Sequence, residues 1–223
     1  MPQPLREYIW LSGEVHAIEK ENEAGLAGGF APEARLVDGR RGKMGRLKKT
    51  VVMVGMMGAG KTAVGQAVAR ALSVPFIDSD EEIVKAASRS IAEIFERDGE
   101  AFFRARETEV LGRLLRGAPC ILSTGGGAFL SDVNRDLIRE SGVSVWLRAD
   151  LDLLWHRVRH KTTRPLLRTA TPRETLRQLY EARVPFYSLA DIAVDSAAEL
   201  SIEEMAAKVV AALETRADVL EGE

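Results

Sequence analysis

Residues 55–62 read GMMGAGKT, a match to G-x-x-x-x-G-K-[ST], and no other stretch restricts the fold of this chain as strongly. The motif works only between a strand and a helix. The strand delivers the backbone, the glycines turn its N–H groups inward, and the helix N-terminus adds partial positive charge for a phosphate. Both flanks fit. Thr50–Gly55 (TVVMVG) is β-branched and apolar, like a strand buried on both faces, and the stretch 61–72 places Val64, Val68 and Leu72 at helical spacing. Gly58, Ala59, Gly60, Lys61, Thr62 and Ala63 are therefore the candidate phosphate-binding residues. Lys61 can reach the β- and γ-phosphates, and the Thr62 hydroxyl can join a magnesium shell. A plain glycine-rich turn would need neither residue. Nucleotide binding is the expectation, although the loop alone does not say what becomes of the nucleotide.

Further strands are expected at Pro75–Asp78, Cys120–Ser123, Val143–Leu147 and Ile192–Val194. Ser90-Ile-Ala-Glu93 and Thr171-Pro-Arg-Glu174 fit the capping box, the second with proline at the first helical position. Gly99 interrupts the helical run between Phe95 and Phe103. Five short strands alternating with helices argue for a parallel sheet covered on both faces, with ligands beyond the carboxyl ends of its strands. The first 48 residues differ: they are glycine-rich with scattered charge, and only a turn around Tyr8–Leu11 is suggested. We expect residues 1–48 to be a flexible extension, with Met44 as an alternative start, residues 49–215 to form the domain, and 216–223 a tail. In a chain of 223 residues with formal charge −2, no basic field recruits nucleic acid. One cysteine, Cys120, excludes an internal disulfide, and no apolar run approaches membrane length. A cytoplasmic protein is the natural expectation.

Four clusters lie near the expected strand ends. In FIDSDEE (76–82), Asp78 and Asp80 leave a strand on the same side, roughly 7 Å apart along the chain. Such a pair can hold a metal, act on a substrate hydroxyl, or cap the next helix. FFRARE (102–107) carries Arg104, suited to bidentate grip of a carboxylate or, more plainly, to pairing with Glu107 at i+3. STGGGAF (123–129) sets Gly125, Gly126 and Gly127 after a strand, where backbone N–H groups can approach a ligand. HKTTRPLLRTATPRE (160–174) has the composition of a mobile lid, from which Arg164 can reach a transferring phosphoryl group. Downstream, Arg183 precedes Pro185, where the helix is expected to bend or end.

Taken in order, GMMGAGKT, DSD, IFERDGEAFFRARE, TGGGA, RPLL and LYEARVPFY resemble the shikimate kinase family over residues 50–212. The resemblance implies the three-layer P-loop kinase fold, an α/β architecture whose five-stranded parallel sheet has strand order 2-3-1-4-5. It implies ATP-dependent, Mg2+-assisted phosphorylation of the 3-hydroxyl of shikimate, within chorismate and aromatic amino acid biosynthesis, by a monomer. By that resemblance Thr62 and Asp78 serve the metal, and Lys61, Asp80 and Arg164 are catalytic. Arg104, Arg183 and Gly125–Gly127 hold the substrate carboxylate, Asp80 its hydroxyls, and Phe95 and Phe103 its ring. Arg157 lies against adenine, and residues 195–201 form the adenine-side loop.

The chemistry agrees. Phosphoryl transfer has a loose transition state, so placement and charge neutralisation dominate. An ordinary aspartate, with a pKa of about 3.9, is a weak base, which favours orientation as the larger contribution of Asp80. Two rival readings are a kinase for another polyol acid such as gluconate and a nucleotide-binding regulator without turnover. Convergent anion donors argue against the first, and intact Lys61, Asp80 and Arg164 against the second.

Overall fold

A computed structural model describes residues 7–11, 14–18, 47–160, 165–167 and 169–221. The chain divides into two units, Met1–Gly42 and Lys43–Glu223. In the first, β1 (Glu7–Leu11) and β2 (Glu14–Ile18) pair antiparallel, with Tyr8 opposite Ala17 and Trp10 opposite Val15. This corrects the reading of the extension as irregular beyond one turn. EYIWL and EVHAI are short β-prone runs separated only by Ser12-Gly13, a hairpin signal hidden by the surrounding glycine-rich sequence.

The second unit carries the strands β3 (Thr50–Val54), β4 (Phe76–Asp78), β5 (Ile121–Ser123), β6 (Gly142–Arg148) and β7 (Ile192–Asp195). They form one parallel sheet in the order β4-β5-β3-β6-β7, which is 2-3-1-4-5 within the sheet, as the resemblance implies. Every residue of the central β3 is buried, which explains its unbroken apolar sequence. The helices are α1 (Lys61–Leu72), α2 (Ser79–Ala87), α3 (Ile91–Leu115), α4 (Asp132–Ser141), α5 (Leu151–Val158), α6 (Pro172–Tyr187) and α7 (Ile202–Glu214). The expected stripe of α1, Val64, Val68 and Leu72, is buried, and α1 lies against α7.

Two local expectations are modified. Ser90 forms the full capping box with Glu93 at the start of α3, but the matching Thr171/Glu174 pair does not. There Thr171 has φ −131° and ψ 69°, and the Glu174 carboxylate is taken by Arg177 and Gln178. Gly99 breaks α3 with φ 82° and ψ 173°, as its position suggests. The helix holding Arg183 runs past Pro185 to Tyr187 before ending. Nor do residues 216–221 form a loose tail: Val219 and Leu220 belong to the main core, at 0% and 4% exposure. Leu47 bridges Leu220, Lys48 N–H donates to Val219 O, and Lys49 pairs with Asp218, so this segment covers the chain's entry into β3. An apolar Val-Leu pair this close to the sheet gains more from burial than from solvent exposure.

Candidate active site

The loop after β3 adopts left-handed backbone at Gly55, Gly58 and Gly60 (φ 134°, 85° and 96°). At Gly58 a Cβ would also lie 2.6 Å from Val158 Cγ1, so both conformation and space require glycine. Lys61 Nζ donates to the carbonyls of Gly55 and Met56 at 2.8 and 3.2 Å. The loop from Met57 to Val64 forms one wall of a cleft of about 440 Å³. Asp78, Asp80 and residues 123–126 line it from the neighbouring strand ends, and Arg157 from α5.

Sheet register sets Asp78 beside Ser123. One Asp78 oxygen accepts from Asp80 N–H at 3.0 Å and caps α2, while the other accepts from Thr62 Oγ1 at 3.2 Å. Capping and service to the phosphate loop are therefore not alternatives: each carboxylate oxygen has its own partner. Ser123 Oγ lies 3.4 Å from Thr62 Oγ1 and was missed as a candidate. Its only signal is its place as the last residue of a strand adjoining the phosphate-loop strand.

The three glycines after β5 each face a different polar side chain. A Cβ on Gly125 would lie 2.9 Å from Asp80 Oδ1 and 3.2 Å from Glu107 Oε1. One on Gly127 would lie 2.6 Å from both terminal nitrogens of Arg104. One on Gly126 would lie 3.6 Å from Arg183 Nη1 and 3.7 Å from the Tyr187 hydroxyl. The sequence suggested N–H donation as the use of this run; the structure adds a steric reason at Gly125 and Gly127, where a Cβ would push a charged neighbour aside.

The i+3 reading of Arg104 holds. It pairs with Glu107 at 2.7 Å and with Glu100 at 3.2 Å, yet reaches Gly127. The Glu107 side chain is only 2% exposed. Burial raises its carboxyl above the usual range and Asp80 adds to this, with Arg104 pulling the other way. Glu107, Ser123 and Tyr187 are thus site neighbours that motif reading did not assign. Burial pushes the Tyr187 phenol up to about 12, against the pull of Arg183 and Arg104. Phe95 and Phe103 meet with ring centroids 4.7 Å apart. Phe103 is buried in a small core with Ile83, Ile94 and Val110, whereas Phe95 is 36% exposed and offers the open ring face.

On the far wall Arg157 Nη1 donates to Ser196 Oγ at 3.2 Å and to the carbonyls of Gly58 and Ala59 at 3.4 and 3.5 Å. Burial lowers its pKa, with Asp150 opposing. Ser196, Leu200 and Ser201 of the expected adenine-side loop line the cleft, joined by Ile202 and Met205 of α7. Arg164 lies outside the described residues.

The shikimate kinase family profile matches residues 57–214. A shikimate kinase from Cereibacter sphaeroides is 71% identical over 184 residues, covering 82% of this chain and 92% of the relative. One from Ruegeria pomeroyi is 71% identical over 175 residues, covering 78% and 90%. The crystallised shikimate kinase from Acinetobacter baumannii in complex with shikimate superposes with a TM-score of 0.71 at 35% identity, covering 75% of this chain and 93% of that one. The matched segment contains the phosphate loop from Met57 onward, the aspartate pair, the glycine run and the helices of Arg104 and Arg183, and the chain belongs to the shikimate kinase family.

Proposed function

We propose that the protein transfers the γ-phosphoryl group of ATP to the 3-hydroxyl of shikimate, giving shikimate 3-phosphate and ADP. The observation that carries this reading is the convergence on one glycine run of Asp80, Arg104 and Arg183, beside the phosphate loop. An anionic acceptor with a hydroxyl some distance from its carboxylate matches two guanidinium groups and one carboxylate set in that way.

In this reading the loop N–H groups and the α1 N-terminus hold the phosphates, and Lys61 offsets charge on the β- and γ-phosphates. Arg104 and Arg183 bind the acceptor carboxylate, Phe95 covers its ring, and Asp80 turns the hydroxyl toward the γ-phosphorus and takes its proton late. Arg157 lies against the adenine, and Arg164 is assigned a phosphate contact on the resemblance alone. Thr62, Ser123 and Asp78 offer hard oxygen donors within one hydrogen-bonded group. Among the described residues no group of three or more His, Cys, Asp or Glu is placed to hold a metal ion. Sparse oxygen donors suit Mg2+, which keeps waters and shares phosphate oxygens, so these residues fit the ion. When bound it would neutralise charge on the β- and γ-phosphate oxygens.

A coupled assay of ADP release with shikimate, with gluconate and with no acceptor tests the proposal. Release dependent on shikimate is expected. Equal release in its absence would refute the reading, and preference for gluconate would move the protein to the rival substrate class.

A further inference from the structure

We infer that Tyr187 is a positioning residue for the acceptor-carboxylate pocket, its hydroxyl holding the backbone of Gly126 against which Arg183 lies. The inference rests on the shikimate kinase reading and concerns how that pocket keeps its shape.

Both parts of the pocket are locally soft. A triple glycine has more backbone freedom than any other sequence of its length. Arg183 sits two residues before Pro185, which lies inside α6 and removes one helical N–H donor from the last turn. Guanidinium and carboxylate must nonetheless meet within about 0.5 Å of their productive geometry. Tyr187 joins the two parts. It is fully buried, and its ring stacks on Trp146 of β6 with centroids 6.2 Å apart, which ties it to the sheet. Its hydroxyl donates to Gly126 O at 2.5 Å, across a sequence separation of 61 residues. Arg183 Nη1 and the Tyr187 hydroxyl border the same face of Gly126, 3.6 and 3.7 Å from where its Cβ would lie, and the Arg183 charge opposes the rise of the phenol pKa on burial.

A phenylalanine would stack on Trp146 equally well. Burying a hydroxyl is costly unless it is hydrogen-bonded, so the oxygen is best explained by its bond to Gly126 beside Arg183. Burial pushes the phenol up to about 12, which keeps its proton in place for donation near neutral pH. The link thus runs from Tyr187 to Gly126 and, by close packing there, to Arg183. A hydroxyl present only to satisfy the Gly126 carbonyl would affect stability but would not single out one substrate.

The test uses the full chain and Tyr187→Phe, with kcat, both KM values and thermal midpoint measured beside wild type. We expect the KM for shikimate to rise roughly 5- to 30-fold while the KM for ATP stays within about twofold. In Arg183→Ala the added Tyr187→Phe change should cause little further loss, since the two act through one link. An unchanged shikimate KM, a parallel rise in both KM values, or fully additive losses would overturn the inference while leaving the function intact. Absence of shikimate-dependent turnover in wild type would overturn both. Tyr187→Met also lacks the hydroxyl and should show the same split. If neither variant folds, the hydroxyl is structural and the positioning role is refuted.

Discussion

Gly127 and Arg104 lie against each other, and neither can be understood alone. The Arg104 guanidinium is held from one side by Glu107 and touches, on the other, the space that a Gly127 Cβ would occupy. Gly127→Ala would therefore displace the end of a flexible side chain, which costs the fold little but takes the guanidinium off its station. The expected outcome is a rise of about tenfold or more in the KM for shikimate, consistent with a lost charged hydrogen bond. The thermal midpoint and the KM for ATP should change little. Steady-state kinetics and thermal denaturation of the one variant check all three. At this scale the sequence was informative about residue types and poor about partners. The arginines, the aspartate pair and the glycine run were legible because their motifs are contiguous. Ser123, Tyr187 and the approach of Glu107 to Gly125 were not, because they come from sheet register and from contacts between distant segments.

Among the elements, two similar start signals have different outcomes. Ser90-x-x-Glu93 closes a reciprocal cap, whereas Thr171-x-x-Glu174 loses its glutamate to Arg177 and Gln178. Ser90→Ala is expected to lower unfolding free energy by about 1 kcal/mol. Thr171→Ala should fall within about 0.5 kcal/mol of the parent, the range of an ordinary surface change. Urea titration of both variants makes the comparison, and equal losses would contradict the assignment. The phosphate-loop helix behaved as its sequence suggests, since glycine backbone freedom and apolar spacing are local properties. The capping competition was not legible, because a propensity pattern contains no information about which neighbouring side chain reaches the carboxylate first.

Across the whole molecule, the second unit contains the sheet, its core and every candidate site residue. A chain beginning at Met44 is expected to keep shikimate-dependent ADP release and its thermal midpoint. Removing residues 216–223 should instead destabilise the enzyme by several kcal/mol, since Val219 and Leu220 are buried and each such side chain contributes about 1.5–3 kcal/mol. Thermal denaturation of the two truncations separates these expectations, and a stable C-terminal truncation would show that the segment's core contacts are dispensable. The phosphate loop and the alternation of strands and helices were determined by the amino-acid sequence alone, because periodicity and turn chemistry are written along the chain, while the family and the strand order followed from the resemblance of its ordered motifs. The placing of Ser123 beside Asp78, of Glu107 against Gly125 and of Tyr187 against Gly126 was decided only by tertiary structure. Those contacts join segments that are distant in sequence, and only the closed sheet with its packed helices brings them within hydrogen-bonding reach.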